Sequence, residues 1–109
     1  MRYVFDIDGT ICTPGTPKIN RYTGATPIYN RIEKINKLYD EGNTIIYLTA
    51  RGMSKFKNSP VLAYKEYYKF TLDQLKSWGC KFHELYLGKP AGDYYIDDRA
   101  INDKQFFET

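Results

Sequence analysis

Cysteine and histidine, the residues that most often bind zinc, are scarce in this sequence of 109 residues. The two cysteines, Cys12 and Cys80, lie far apart and form no CxxC or Cys/His spacing, which argues against a zinc site. We expect both to be free thiols. Catalysis centred on histidine would depend on the single histidine, His83, which we interpret as a structural residue.

Long apolar runs are absent as well. No run approaches the roughly 20 residues that a membrane-spanning helix needs, and the sequence shows no signal-peptide pattern. We therefore expect a cytoplasmic protein with no membrane partner. With 42% hydrophobic and 27% charged residues, the composition is typical of a globular protein and argues against disorder. The length favours one domain over residues 1–109.

Strand and helix patterns alternate along most of the chain. The predicted elements are a strand from Arg2 into Asp6 and Asp8, a helix from Thr26 to Gly42, a strand over 43–48, a helix from Ser59 to Gly79, strands over 84–87 and 93–96, and a short terminal helix containing Phe106 and Phe107. This order predicts an α/β fold: a Rossmann-like, three-layer α/β/α arrangement with a mainly parallel sheet and right-handed crossovers.

Two carboxylates end the first predicted strand. Asp6 and Asp8 are two positions apart, so an extended backbone directs both side chains to one side. Gly9 then allows a sharp turn away from the strand. Carboxylates this close repel each other, and the pattern therefore requires a metal ion or a lysine from elsewhere in the chain.

The segment after this pair, residues 11–25, is rich in proline, glycine, threonine and asparagine. A loop of this length in a small domain is more often functional than idle. The loop either covers the site as a flap or is a solvent-exposed loop without a function, and the sequence leaves both interpretations open.

The other predicted strands also end in polar or charged residues. Thr49 and Arg51 follow the second strand, Lys89 follows the third, and Asp97 with Asp98 follows the fourth. Because ligands of parallel α/β sheets bind outside the carboxyl ends of the strands, we expect these side chains to form one site.

This set of side chains suits phosphoryl transfer. Asp6 would attack phosphorus and form an aspartyl-phosphate, and Asp8 would act as general acid and then as general base. Thr49 and Lys89 would donate to the phosphoryl oxygens.

Carboxylate oxygens are also the ligands that Mg²⁺ prefers. Asp97, with Asp98 nearby, would hold the ion, which would screen the anionic phosphate from Asp6.

Two further residues are candidates for binding the substrate. Thr10 follows the carboxylate pair directly. Arg51, just past Thr49, either binds a substrate phosphate or forms a structural ion pair, and the sequence leaves both open.

The ordered motifs resemble those of the haloacid dehalogenase (HAD) phosphatase superfamily. The run Asp6-Ile7-Asp8-Gly9-Thr10 is similar to its DxDGT motif, and the second to fourth motifs are matched by Thr49, by Lys89 and by Asp97-Asp98. The resemblance implies the nucleophile, acid/base and phosphate-ligand roles given above. It also implies Mg²⁺ bound by Asp6, Asp97 and the backbone carbonyl of Asp8.

Neither gap between motifs is long enough for a cap domain, so the chain resembles the minimal, capless HAD core. Such proteins act on large substrates or close the site with a neighbouring subunit, which makes a homo-oligomer an open alternative. The GKP and IDD stretches resemble those of phosphatases in capsule or surface-polysaccharide sugar pathways. We therefore expect a Mg²⁺-dependent phosphatase of a sugar phosphate or related small metabolite.

Two other functions stay open. The net charge of +3 and the eleven tyrosines are compatible with nucleic-acid binding, although they do not favour it. A nucleic-acid-end phosphatase is therefore one alternative. A non-catalytic phosphate- or RNA-binding module on the same fold is the other.

Overall fold

A three-stranded parallel sheet forms the centre of the structure, a computed structural model that describes residues 1–17 and 20–108. In chain order the elements are β1 (Arg2–Phe5), β2 (Cys12–Thr13), β3 (Thr26–Pro27), α1 (Tyr29–Asp40), β4 (Thr44–Thr49), α2 (Pro60–Ser77), β5 (Glu84–Leu87) and α3 (Asp103–Phe107). The sheet order is β1-β4-β5. The predicted α/β class is confirmed.

The helix boundaries follow from local capping. Ser59 caps α2, since its Oγ accepts a hydrogen bond from Leu62 N and Pro60 stands in the first turn, as predicted. The prediction that Thr26 caps α1 was wrong. Thr26 and Pro27 instead form β3, which pairs antiparallel with β2, and α1 begins two residues later. Backbone pairing with the segment after β1 therefore outweighs the capping signal.

Both long helices pack on the same face of the sheet. The crossovers β1-α1-β4 and β4-α2-β5 step in the same direction, and right-handed crossovers of this kind place their helices on one side. Ile35 of α1 and Leu75 of α2 therefore share one core with Tyr47 of β4. No helix in the described part of the chain is long and apolar enough to span a membrane.

The opposite face of the sheet is open. Val4 is 59% exposed, Tyr86 is exposed, and Ile46 and Leu48 between them are half-buried. Within residues 1–17 and 20–108 no helix covers this face, so the predicted second helical layer is not seen there.

The prediction of a fourth strand over 93–96 was wrong. The described residues 88–102 form no regular secondary structure, and Tyr94 and Ile96 are exposed. A parallel strand needs a crossover of about a dozen residues or more, and only residues 88–92 follow β5 before this segment. The predicted terminal helix is confirmed as α3, whose Phe106 and Phe107 pack on Phe5 of β1.

Tyr47 provides a test of the core. Its side chain is buried, and among the described residues its hydroxyl faces the Cys80 thiol, a weak hydrogen-bonding group, but no nitrogen or oxygen partner. A buried hydroxyl without a strong partner costs roughly 1–3 kcal/mol, so Tyr47→Phe should leave the free energy of unfolding in urea unchanged or raise it by about 1 kcal/mol. The control Ile35→Ala should lower it by about 2–5 kcal/mol, because it leaves a cavity. A clear loss in Tyr47→Phe would contradict the assignment.

Candidate functional site

A tight turn after β1 positions the first two predicted site residues. The N–H groups of Thr10 and Ile11 both donate to the carbonyl of Ile7, at 3.0 and 2.9 Å. Gly9 lies within this turn at φ +83°, a conformation that other residues adopt only with strain. The turn leaves Asp6 and Asp8 at the carboxyl edge of the sheet.

Asp6 is held by two of the predicted partners. The Thr10 hydroxyl donates to its Oδ2 at 3.2 Å, and Lys89 Nζ lies 3.5 Å from its Oδ1. The Lys89 backbone N–H donates to the Thr49 carbonyl at 3.2 Å, and its ammonium group lies 4.3 Å from the centre of the Tyr95 ring. About a third of the Asp6 side chain stays exposed, so one side of the carboxylate remains accessible.

Asp8 forms a bidentate ion pair with Arg51. Arg51 Nε donates to Oδ2 at 2.9 Å and Nη2 donates to Oδ1 at 3.0 Å. The side chain of Arg51 is fully buried, and that of Asp8 is 14% exposed. Of the two interpretations of Arg51, the structure shows the ion pair.

The guanidinium of Arg51 is fixed from several directions. Its Nη1 donates to Thr71 Oγ1 at 3.3 Å. Its Cζ lies 4.8 Å from the centre of the Tyr22 ring and 5.9 Å from the centre of the Phe70 ring. The Arg51 backbone N–H donates to Thr49 Oγ1 at 3.1 Å. Thr49 is therefore tied to the same network.

Cys12 adds a neutral group beside Asp8. Burial, together with the negative charge of Asp8, raises the pKa of the Cys12 thiol to about 12. The thiol donates to Asp8 Oδ1 at 3.5 Å. Cys12 is therefore a protonated neighbour of the site at neutral pH and not a nucleophile.

A cleft of about 990 Å³ opens over these residues. Asp6, Asp8, Thr49, Arg51 and Lys89 line its floor, and residues 21–23 of the loop form part of its wall. The lining carries four cationic side chains, Arg21, Arg51, Lys55 and Lys89, and three acidic ones, Asp6, Asp8 and Glu66. Arg51 is paired with Asp8 and Lys55 lies 3.8 Å from Glu66, so attraction of an anionic group to the cleft rests on Arg21 and Lys89.

The loop after β1 contributes through Tyr22. Besides contacting Arg51, the Tyr22 hydroxyl accepts a hydrogen bond from Gly52 N at 3.4 Å, and the Tyr22 carbonyl accepts one from Gln74 Nε2 at 2.7 Å. These contacts favour the flap interpretation of residues 11–25. Two residues of this loop, Lys18 and Ile19, lie outside the described residues.

Asp97 and Asp98 do not join the first carboxylate pair. Both are exposed, and Asp98 lies 4.0 Å from its neighbour Arg99. A hydrogen bond from the Arg99 backbone N–H lowers the pKa of Asp97. In residues 1–17 and 20–108 no three His, Cys, Asp or Glu side chains are grouped so as to hold a metal. The predicted metal set of Asp6, Asp8, Asp97 and Asp98 is therefore not assembled in the single chain.

Sequence reasoning missed three residues of the network. Thr71 interrupts the apolar face of α2, and a buried threonine there is the one signal that could have been noticed. Tyr22 and Arg31 gave no signal. Arg31 Nη1 donates both to the Thr10 carbonyl, at 3.0 Å, and to Asp103 Oδ2, at 2.7 Å, and so joins the turn after β1 to α3.

No family model and no curated protein matches this sequence. Among solved structures, a crystal structure of an MCSG target from Vibrio cholerae is similar, with a TM-score of 0.88 and 24% sequence identity. The alignment covers 99% of this chain and 88% of that chain. At this identity the likeness shows the fold alone.

The pair of Arg51 with Asp8 should be a major determinant of stability. Removal of one partner from a buried pair costs about 3–5 kcal/mol, and we expect this loss of unfolding free energy in Arg51→Gln. Thr71→Val, which removes one hydrogen bond, should lose about 1 kcal/mol. The double variant Asp8→Asn/Arg51→Gln should lose less than the sum of its single changes. Additive losses in denaturant unfolding would show that the pair is not coupled.

Asp103 gives a pH-dependent test. The hydrogen bond from Arg31 lowers the pKa of Asp103 in the folded state, while an unfolded aspartate titrates at about 3.9. The pair therefore stabilises the fold above the unfolded pKa, and this contribution is lost as pH falls through the folded pKa. Asp103→Asn should be less stable than the unmodified protein at pH 7, with the difference narrowing below about pH 4. Urea unfolding at several pH values measures this, and a constant difference would contradict it.

Proposed function

We propose that this protein is a phosphomonoester hydrolase of the HAD type, built on the minimal capless core, with Asp6 as its nucleophile. The observation that carries the proposal is the arrangement of Asp6 at the floor of the cleft. Its carboxylate is partly exposed, is flanked by Lys89 and Thr10, and lies two residues before an aspartate fixed by a buried arginine. A module that only binds phosphate has no need of the second aspartate, Asp8.

The first step would transfer the phosphoryl group to the protein. An Asp6 carboxylate oxygen attacks phosphorus, the bond from phosphorus to the ester oxygen breaks, and the leaving oxygen takes a proton from Asp8. The product is an aspartyl-phosphate and a free alcohol. For this step Asp8 must carry a proton, and because its bidentate contact with Arg51 pairs the guanidinium with a carboxylate, that contact must open before Asp8 acts as the acid.

The second step would release inorganic phosphate. Water attacks the phosphorus of the aspartyl-phosphate, Asp8 takes the proton from the water, and the bond from phosphorus to the Asp6 oxygen breaks. Lys89 offsets the negative charge of the phosphoryl oxygens next to Asp6. Thr49 accepts from Arg51 N, which leaves its own hydroxyl hydrogen for a phosphoryl oxygen.

Magnesium dependence is part of the proposal because of the sequence resemblance alone. The single chain offers Asp6 and Asp8 in one place, and both Asp8 oxygens are occupied by Arg51. The described residues therefore do not fit a magnesium site within one chain. No step above is routed through the ion.

The substrate class follows from the size and charge of the cleft. A volume of about 990 Å³ lies at the upper end of the roughly 300–1,000 Å³ of small-molecule sites. Its cationic side chains Arg21 and Lys89 suit a phosphate ester, and its aromatic side chains, among them Tyr67 and Phe70, suit the ring of a sugar or a related metabolite. The proposed substrate is accordingly a sugar phosphate or similar small phosphomonoester, as in surface-polysaccharide pathways.

The test is phosphate release from an aryl phosphate and from a panel of sugar phosphates, with Mg²⁺ or with EDTA. Asp6→Asn should lower kcat/KM by at least about a thousandfold, the scale on which loss of a nucleophile acts. The matched control Asp73→Asn removes an exposed aspartate of α2 that pairs with Lys69, and it should keep full activity.

Asp8→Asn adds a second criterion. Loss of the general acid should reduce turnover of sugar phosphates, whose leaving oxygens need a proton, by about 10²–10⁴-fold. An aryl phosphate with an acidic leaving group should lose less in the first step. An unmodified protein that is inert on the whole panel would refute the hydrolase proposal.

A further inference from the structure

The segment of residues 93–101, here called the arm, is exposed although it has the composition of a strand. Tyr94 is 86% exposed, Ile96 is 98% exposed, and Ile101 is also exposed. Aromatic and β-branched residues in a row favour a paired strand over a solvated coil. Tyr94-Tyr95-Ile96 is thus an exposed apolar stretch between the charged residues Asp93 and Asp97, and such a stretch is typical of a surface that binds another protein surface.

The receiving surface lies on the same molecule. β1 is an edge strand whose second side has no partner strand in the sheet, and Val4 on its open face is 59% exposed. Unpaired edges recruit further strands. The groove between β1 and the arm measures about 1820 Å³, well above the roughly 300–1,000 Å³ of small-molecule sites. Its size suits a polypeptide segment.

The arm cannot reach the edge of its own β1 as a parallel strand. Residues 88–92 are too few for a parallel crossover, and both ends of the segment are fixed. At one end Lys89 N donates to the Thr49 carbonyl and Ala91 N donates to Asn58 Oδ1 at 3.0 Å. At the other end Asp103 is paired with Arg31.

We propose that two copies of this chain associate by exchanging arms, each arm pairing as a parallel strand with the free edge of β1 in the other copy. Each chain carries both an unpaired edge and an unpaired strand-like segment, which is the self-complementarity that a twofold interface requires. In the parallel direction exposed Arg2, which starts β1, meets Asp93, which starts the arm, while Asp97 and Asp98 at the other end meet Asp6. Each dimer would contain two contacts between an arm and β1. Two contacts favour a buried surface of roughly 800 Å² per partner, which is typical of a stable complex.

The exchange would also complete the site. An arm parallel to β1 ends at the same sheet edge as β1, so Asp97 and Asp98 of one copy arrive next to Asp6 of the other. These are the carboxylates that the single chain lacks. This part of the inference rests on the proposed function, whereas the docking of the arm does not.

The docking is tested by sedimentation of the full chain at several concentrations. The unmodified protein should be a dimer, and Ile96→Asp should raise the dissociation constant by at least about tenfold, as for a residue central to an interface. The control is Val61→Asp, which changes an equally apolar side chain that is 76% exposed at the start of α2, and it should leave the dimer intact. A monomeric unmodified protein, or equal effects of both variants, would overturn the proposal.

Completion of the site is tested by mixing two inactive variants, Asp6→Asn and the double variant Asp97→Asn/Asp98→Asn, after joint refolding. Random pairing makes about half of the dimers mixed, and each mixed dimer holds one intact site, so about a quarter of the unmodified activity should return. No recovery, with the unmodified protein active, would overturn completion in trans. If the unmodified protein is inactive on every ester, the proposed function fails, while sedimentation still decides the docking of the arm.

Discussion

Two carboxylates that leave one strand two residues apart each need a compensating cation, and the fold satisfies this need in two different ways. Asp8 is neutralised by a buried, bidentate arginine whose remaining donor contacts Thr71 of α2. Asp6 has only the longer contact with Lys89 and stays partly open to the cleft. A buried ion pair is held rigidly, whereas a half-exposed one can exchange partners. Asp8 is therefore fixed in position, and Asp6 is available to a ligand. The different chemical roles that we propose for the two aspartates rest on this difference in environment.

The order of the strands determines what lies around this pair. Two right-handed crossovers in the same direction place α1 and α2 on one face, where they form the core and hold the arginine network. Among residues 1–17 and 20–108 no helix covers the other face, and no strand pairs with the outer edge of β1. The carboxyl edge of the sheet therefore gathers Asp6, Asp8, Thr49 and Lys89, but its side next to β1 is open.

Much of the fold was predictable, because hydrophobic periodicity reports which residues are buried. The strand predicted over 43–48 is found at 44–49, and the strand over 84–87 and the capped helix α2 are found as predicted. Of the motif residues expected at one sheet edge, Asp6, Asp8, Thr49 and Lys89 lie together there, whereas Asp97 and Asp98 do not. The start of α1 was missed, since pairing of Thr26 with Thr13 is a tertiary effect that a capping motif cannot reveal. The role of Arg51 was undecidable from sequence, as its partner Thr71 lies twenty residues away along the chain.

The fourth strand shows how a correct local signal can give a wrong prediction. Residues 93–96 have strand-like composition, yet the connection from β5 is too short to bring them into the same sheet in parallel. The composition favours pairing, and the length of the connection forbids parallel pairing with β1 of the same molecule. The proposed exchange between two copies satisfies both constraints. In that case whatever binds between Asp6 and the arriving carboxylates binds the dimer and not the monomer, so that ligand binding and association stabilise each other. The repulsion between carboxylates at the end of β1 would weaken this pairing and a cation bound between them would strengthen it, which couples the electrostatics of the site to the stability of the dimer.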